Sequence, residues 1–327
     1  MNSQDTLLST DLAGLRLRNP VMLAAGTAGT LDEMGDALDL GRVGAVVTKS
    51  ITPQPREGNA TWRILESKAG MLNAIGLANV GLDDFEAHVA PRIAGVPTAV
   101  VGSVAGFSVE DYVRVAGAMG EIEAIAAVEL NVSCPNVRHG TEFGADPRLL
   151  RELVQAVRAA LLRTRLFVKL SPVAIGTPHG IADLARAAID AGARPAGPNG
   201  RPGADGLTIA NTVPAMGIDV ATRRPRLANV TGGLSGPAVH PIAVKLVYDA
   251  YVLVCRDTGT PIIGCGGVQE WDDAAELILA GASAVQMGTA LFADPRAPLR
   301  VARGLERWVR GQGAAGIGEL VGGVVVD

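Results

Sequence analysis

The 327 residues carry a formal charge of −4 and are 48% hydrophobic but only 3% aromatic, with 41 glycines. That composition supplies a large core and no basic footprint, which argues against nucleic acid or an acidic membrane as a partner and leaves small-molecule chemistry. Three cysteines, Cys134, Cys255 and Cys265, show no CxxC spacing and cannot all pair, so no disulfide framework and no metal site is expected.

Residues 1–10 lack a positive region followed by an apolar core, so they do not read as a secretory signal. No run approaches the ~18 apolar residues of a membrane span, and the cytoplasm is the expected compartment. Residues 7–18 alternate loosely around Gly14 and predict a hairpin that plugs the bottom of a barrel. Strand 21–26, a short helix 31–40 and strand 44–47 follow, the last ending in Thr48-Lys49-Ser50. The next connection, 51–79, far exceeds the roughly 2 to 6 residues of an ordinary βα loop and predicts a substrate lid. It contains Trp62 and the amide-rich Asn73-Ala74-Ile75-Gly76-Leu77-Ala78-Asn79.

The alternation then repeats: helix 81–93, strand 97–102, helix 109–119, strand 125–132 and helix 147–162. The last is opened by Asp146 in the N-cap place and Pro147 in the first turn. Strand 166–170 reads LFVKL and carries Lys169; helix 181–191 follows. Residues 192–204, rich in Gly, Pro and Arg without an apolar period, predict a surface insertion. Strand 205–210 ends in Asn211-Thr212 and leads into a polar loop reaching residue 235. Helix 236–257, strand 261–263, helix 271–279, strand 283–287 and helix 296–311 complete the chain. Eight βα units with no linker between separate cores predict an α/β protein. Its expected form is a single (β/α)8 TIM-barrel domain over residues 1–327, with an N-terminal hairpin and long βα loops over the C-terminal face.

Nearly every unusual polar residue falls just past a strand end, on the face where such barrels place their sites. Lys49, Asn73, Asn79, Asn131, Cys134, Asn136, Lys169, Asn211 and Thr212 all land there. Gly264-Cys265-Gly266-Gly267 and Gly288-Thr289 close strands seven and eight, where backbone N–H groups often hold a phosphate; the plainer reading is a pair of tight turns. Lys169, inside an apolar strand, is either paired within the barrel, with Glu129 the candidate partner, or a working group such as a Schiff-base nucleophile. Cys255 and Cys265 read as small buried hydrophobes. Cys134 differs, lying between Ser133 and Pro135 in an amide-rich loop. His139 reads as a solvated loop residue rather than its dyad partner.

Asn131-Val132-Ser133-Cys134-Pro135-Asn136, with Met71-Leu72 leading into Asn73 to Asn79, resembles the dihydroorotate dehydrogenases, FMN enzymes of pyrimidine (UMP) biosynthesis. Asn211-Thr212 and Thr231-Gly232-Gly233-Leu234-Ser235-Gly236-Pro237-Ala238 extend the likeness, which runs from about residue 12 to 292. Cys-Pro-Asn-Val followed by Arg138-His139-Gly140 is more similar to the class 1B catalytic subunit than to class 1A. Cysteine where class 2 enzymes use serine, and the absence of an N-terminal membrane-binding extension, point the same way.

The resemblance implies oxidation of dihydroorotate to orotate, with Cys134 as general base and hydride passing to one FMN per chain. It implies substrate contacts from Lys49, Asn73, Ala74, Ile75, Gly76, Leu77, Asn131, Asn136, Asn211 and Thr212. Cofactor contacts would come from Ala25, Lys49, Ser50, Ser103, Asn131, Lys169, Ala210, Gly236, Gly266, Gly267, Gly288 and Thr289, with Lys169 at the flavin ring and the glycines at its phosphate. Ala25 and Ser103 depart from the family pattern, standing where many relatives have serine and asparagine. Electrons would pass to a partner subunit carrying FAD and a 2Fe-2S cluster, and on to NAD, from a homodimer core within a heterotetramer. This chain has neither a cysteine set for a cluster nor an early GxGxxG. The alternative is a class 1A-like enzyme acting alone on fumarate.

Overall fold

The computed structural model describes residues 7–132, 143–172, 179–193 and 196–326. Eight parallel strands close into a barrel in sequence order: β1 Val21–Leu23, β2 Ala45–Val47, β3 Ala99–Val104, β4 Ile125–Asn131, β5 Arg165–Leu170, β6 Gly206–Ile209, β7 Ile262–Cys265 and β8 Ala282–Met287. β6 pairs with β5 on one side and β7 on the other, and β8 returns to β1. This is the expected TIM barrel.

Alternation along each strand sorts the residues into two environments. Val128 and Leu130 of β4, Val168 and Leu170 of β5, and Val285 and Met287 of β8 face outward into the main core. Their helical partners are α1 Val109–Gly120, α2 Pro147–Ala160, α3 Ile181–Ile189, α4 His240–Ala250, α5 Trp271–Ala280, α6 Ala290–Ala293 and α7 Ala297–Gly311. α2 shows how the sequence sets such a helix: Asp146 accepts from the Arg148 and Leu149 amides. Leu150, Leu153, Val154 and Val157 then recur on one buried face.

The inward-facing residues form layers. The lowest is apolar, with Met22, Ala45, Val47, Val101, Ala127, Phe167, Ile263 and Ala284 packed around Leu12 and Leu17. Those two leucines come from the antiparallel hairpin Thr10–Leu12 and Leu15–Leu17, which plugs the barrel as its sequence suggested. Two residues further along four of the strands, the next layer is polar: Ser103, Glu129, Lys169 and Gln286, joined by Thr208 of β6.

One expectation is corrected and two are refined. Residues 31–40 form no α-helix but the 3₁₀ turns Glu33–Asp36 and Leu40–Arg42; Glu33 folds back to accept from the Leu31 amide at 2.9 Å, and Asp39 accepts from Gly41 N, so acidic side chains serve caps instead of propagating a helix. The insertion lies at the surface as expected, and it is tied down there. Asn199 donates to Ala13 O and Asp205 Oδ1, both at 3.0 Å, and Arg201 donates to Gly259 O at 2.8 Å and to Thr260 Oγ1 at 2.7 Å. Finally, the helical run Pro237–Thr258 has the length and mean hydropathy, 22 residues and 1.5, of a membrane span. Its Ala243, Leu246, Val247, Ala250 and Val254 are spent on the barrel core.

The two long loops over the C-terminal face are also more ordered than their composition suggests. Ile64–Ser67 and Gly70–Asn73 form a hairpin, and Val213–Ala215 and Gly232–Ser235 join it as one antiparallel sheet, with Gly233 opposite Asn73 and Ser235 opposite Met71. Asn79 staples its base: its amide donates to Thr52 Oγ1 at 2.8 Å and Leu77 O at 2.7 Å, while its oxygen accepts from Thr52 N and Gly81 N.

Candidate active site

Beneath that sheet, at the C-terminal ends of the strands, lies a cavity of about 630 Å³, well within the range of small-molecule and cofactor sites. It gathers Ala25, Lys49, Ser50, Asn73, Ala74, Ile75, Gly76, Leu77, Asn131, Lys169, Ala210, Asn211, Thr212, Gly236, Gly266, Gly267, Gly288 and Thr289. Ser103 is not at the wall: it is fully buried, its hydroxyl 2.9 Å from Ser50 Oγ. Cys134, Asn136 and His139 lie outside the described residues.

One end of the cavity is made of glycines. Gly236, Gly266 and Gly267 all have positive φ, at +89°, +151° and +74°. A Cβ on Gly267 would fall 2.6 Å from His240 Cβ and 2.9 Å from Gly236 O, and one on Gly266 would fall 2.6 Å from Ala243 Cβ. Conformation and space both demand glycine, and what remains is bare backbone. His240 Nδ1 donates to Gly266 O at 2.8 Å, and Thr289 Oγ1 donates to Ser235 Oγ at 2.8 Å. The 3₁₀ turn Pro237–Val239 begins just after Gly236 and leads into α4, and the single-turn α6 begins just after Thr289. This is an anion cradle.

The other end is made of amides and ammonium groups. A hydrogen-bonded chain runs from Ser103 through Ser50 to Asn131 Nδ2 at 3.4 Å. Asn211 Nδ2 then donates to Asn131 Oδ1 at 3.2 Å, and Asn211 Oδ1 accepts from Thr212 N at 2.8 Å. Tyr112 fixes the strand end from behind, donating to Asn131 O at 2.7 Å. Asn73 donates to Gly233 O at 3.2 Å, tying the roof's two loops together beside the cavity. Lys49 reaches over Gly26, where a Cβ would come within 3.1 Å of its Nζ.

Lys169 forms the floor. Its Nζ donates to Gln286 Oε1 at 3.1 Å, so the expected Glu129 partner is reached through Gln286 rather than directly. Burial opposes the ammonium's charge, but Cys265 and Glu129 outweigh it and hold the group above its ordinary value. Burial also pushes the Cys265 thiol up, against the pull of Lys169. An ammonium held in its charged form is poorly suited to the Schiff-base role that its place in the strand also allowed.

Cys265 is a further correction. Cys255 is the buried hydrophobe expected, with burial pushing its thiol up to about 12, but Cys265 lines the cavity beside Lys169. Gln286, Ser171, Met71 and Ser235 also line it and were passed over in the sequence. Gln286 had a signal: like Lys169, it is a polar residue set in an apolar strand.

The dihydroorotate dehydrogenase family model matches residues 7–309. This chain belongs to that family. Its relatives include the protein of Pelobacter propionicus named dihydroorotate dehydrogenase B (NAD(+)), catalytic subunit, 45% identical over 316 residues, or 96% of this chain and 97% of the relative. Proteins of the same name from Geobacter sulfurreducens and Bacteroides fragilis are 44% and 41% identical over 320 residues, covering 98% of this chain and 98% and 99% of theirs. The FMN associated with dihydroorotate dehydrogenases fits this cavity chemically. The glycine turns, which any Cβ would fill, suit a phosphate, and the amides and Lys169 suit the polar edge of an isoalloxazine.

Proposed function

We propose that this chain is the catalytic subunit of an NAD-linked dihydroorotate dehydrogenase, oxidising dihydroorotate to orotate in de novo pyrimidine synthesis. The observation that carries the reading is one continuous cavity with an anion cradle at one end and two lysines among paired amides at the other. FMN, when bound, supplies the hydride acceptor.

The chain's own residues do the rest. Gly236, Gly266, Gly267, Gly288 and Thr289 would hold the cofactor phosphate by backbone donors, and Ala25, Ser50, Ala210 and Lys169 would receive its ring. Ser103 acts from behind, orienting Ser50. Lys49 meets the substrate carboxylate; a carboxylate and an ammonium enclosed together attract far more strongly than in water. Asn73, Asn131, Asn136, Asn211 and Thr212 supply the donors and acceptors that a cyclic ureide presents to its surroundings. Ala74 to Leu77 close over it from the roof. Cys134 takes the proton from C5 as hydride leaves C6, so substrate loses one proton and one hydride and a C=C bond forms. Excluding water beneath the roof strengthens each of these contacts.

Electrons leave through a partner subunit carrying FAD and a 2Fe-2S cluster, in a cytoplasmic heterotetramer built on a homodimer of this chain, each copy a single FMN-binding domain. The NAD-linked names of the relatives favour this over a fumarate-dependent enzyme.

Cys134→Ala tests the assignment. Bound FMN, read by its visible absorbance, is expected to persist, while reduction by dihydroorotate slows by about 10²- to 10⁴-fold. An equal fall in bound FMN would move Cys134 from the chemistry to the cradle. If the wild-type chain loaded with FMN is not bleached by dihydroorotate, the whole reading fails.

A further inference from the structure

Below the cavity floor sits a buried polar group that the scheme above leaves unused. Glu129, Thr208 and Gln286 lie inside the barrel with essentially no exposed surface. Glu129 Oε2 accepts from Thr208 Oγ1 at 2.6 Å and from Gln286 Nε2 at 2.7 Å. The carboxylate thereby fixes which way the Gln286 amide points: its NH₂ faces Glu129, so its carbonyl faces Lys169, from which it accepts at 3.1 Å. A flipped amide would set acceptor against acceptor at Glu129 and donor against donor at Lys169. The order carboxylate, amide, ammonium therefore has one sense.

A carboxylate in an apolar barrel is costly unless it is paired, and here its other oxygen, Oε1, has no hydrogen-bond partner among the described residues. Its charge is left to act on the nearest cation. Among the described residues, the titratable groups at the cavity wall are Lys169 on β5, Cys265 on β7 and Lys49 past β2. Burial works against the Lys169 ammonium while Cys265 and Glu129 work for it, and of those two Glu129 is the one aligned on it through the Gln286 amide.

We propose that Glu129, acting through Gln286, is a positioning residue for Lys169: it pins the ammonium to the cavity floor and keeps it cationic, so that reduced FMN is held as its anion. This rests on the FMN reading above. Lys169 then takes up no proton when the flavin is reduced, and the flavin takes up one.

The test is the midpoint potential of FMN bound to the full chain, equilibrated with reference dyes across about pH 6 to 9, the range into which a buried lysine falls when stripped of its counter-charge. In the wild type the equilibrium changes tenfold per pH unit, or about 30 mV for a two-electron couple, one proton being taken up. In Glu129→Gln a second proton goes onto Lys169 and the slope rises to about 60 mV. Gln286→Leu breaks the relay and steepens the slope likewise; it decides the matter alone if Glu129→Gln does not fold. In Lys169→Gln, adding Glu129→Gln changes the slope no further. A Glu129→Gln protein that binds FMN with the wild-type slope overturns the proposal, as does a wild-type slope already near 60 mV. A wild-type chain that binds no FMN, or whose FMN dihydroorotate does not reduce, sinks the underlying reading instead.

Discussion

Both ends of the barrel are covered by chain that lies outside the βα repeat, yet one end is sealed and the other encloses a cavity. At the bottom the covering is apolar in the centre and charge-paired at the rim. Leu12 and Leu17 fill the lowest layer, and Arg158 donates to Asp205 at 2.8 Å and to Thr164 O at 2.6 Å, both charges fully buried. Asp205 also accepts from Leu166 N and from Asn199, and of this buried pair's polar atoms Arg158 Nε alone has no partner among the described residues. At the top, Ser50, Asn131 and Asn211 bond among themselves to fix their orientation and border the cavity with two lysines and a row of glycines. Polar groups turned on one another inside the wall make a base plate; polar groups oriented on a rigid support beside a cavity make a site.

The sharpest way to break this contrast is at the bottom. Arg158→Ala leaves Asp205 buried without its partner and is expected to cost about 3 to 5 kcal/mol of stability in urea unfolding. FMN affinity and reduction rate per folded molecule stay unchanged; a loss of FMN affinity without loss of stability would show that the two ends are not separable. At the top, Gly267→Ala forces a side chain into left-handed backbone and against His240. About 1 to 2 kcal/mol of strain, roughly tenfold or more in FMN dissociation constant, is expected from titration of the apo chain. The unfolding midpoint should move far less than in Arg158→Ala.

The smallest effect belongs to the roof's rim. Asp219 Oδ1 accepts from Ala221 N at 2.9 Å and Thr222 N at 3.0 Å in the turn between Ile218–Asp219 and Arg224–Pro225. Those bonds, Thr222 first, hold its carboxyl below the ordinary 3.8. A depressed carboxyl lends its support above the ordinary value and loses it as the pH falls through the folded one. Hydrogen exchange at the Ala221 and Thr222 amides should therefore quicken only below that value, and Asp219→Ala should change turnover by about twofold or less.

The barrel itself was legible because its signals are local. Apolar runs such as LFVKL, the Asp146-Pro147 helix start and glycines at strand ends each act within a few residues. The site was legible where a residue broke its local pattern, as Lys169 does in β5 and Asn131 at the end of β4. What escaped was non-local. Nothing within residues 211–235 announces that Gly232–Ser235 will pair with Gly70–Asn73, because the partner strand lies about 160 residues away. Cys255 and Cys265 look alike as letters, and only the closing of the barrel sends one into a helix core and the other to the cavity wall. Ser103 failed for the same reason: in a strand of alternating direction it faces inward as expected, but Ser50 from the neighbouring loop stands in front of it.

The roof sheet carries one more consequence, for how a newly made chain becomes an enzyme. Its central pairing joins a segment made early to one made after six of the eight barrel strands, so the entropic cost of bringing them together is met only once the barrel between them has closed. Until the ribosome has passed Ser235, the early hairpin Ile64–Ser67 and Gly70–Asn73 has no partner strand, and the glycine turns after β7 and β8 do not yet exist. The anion cradle is therefore complete only after β8 and Thr289 have been made.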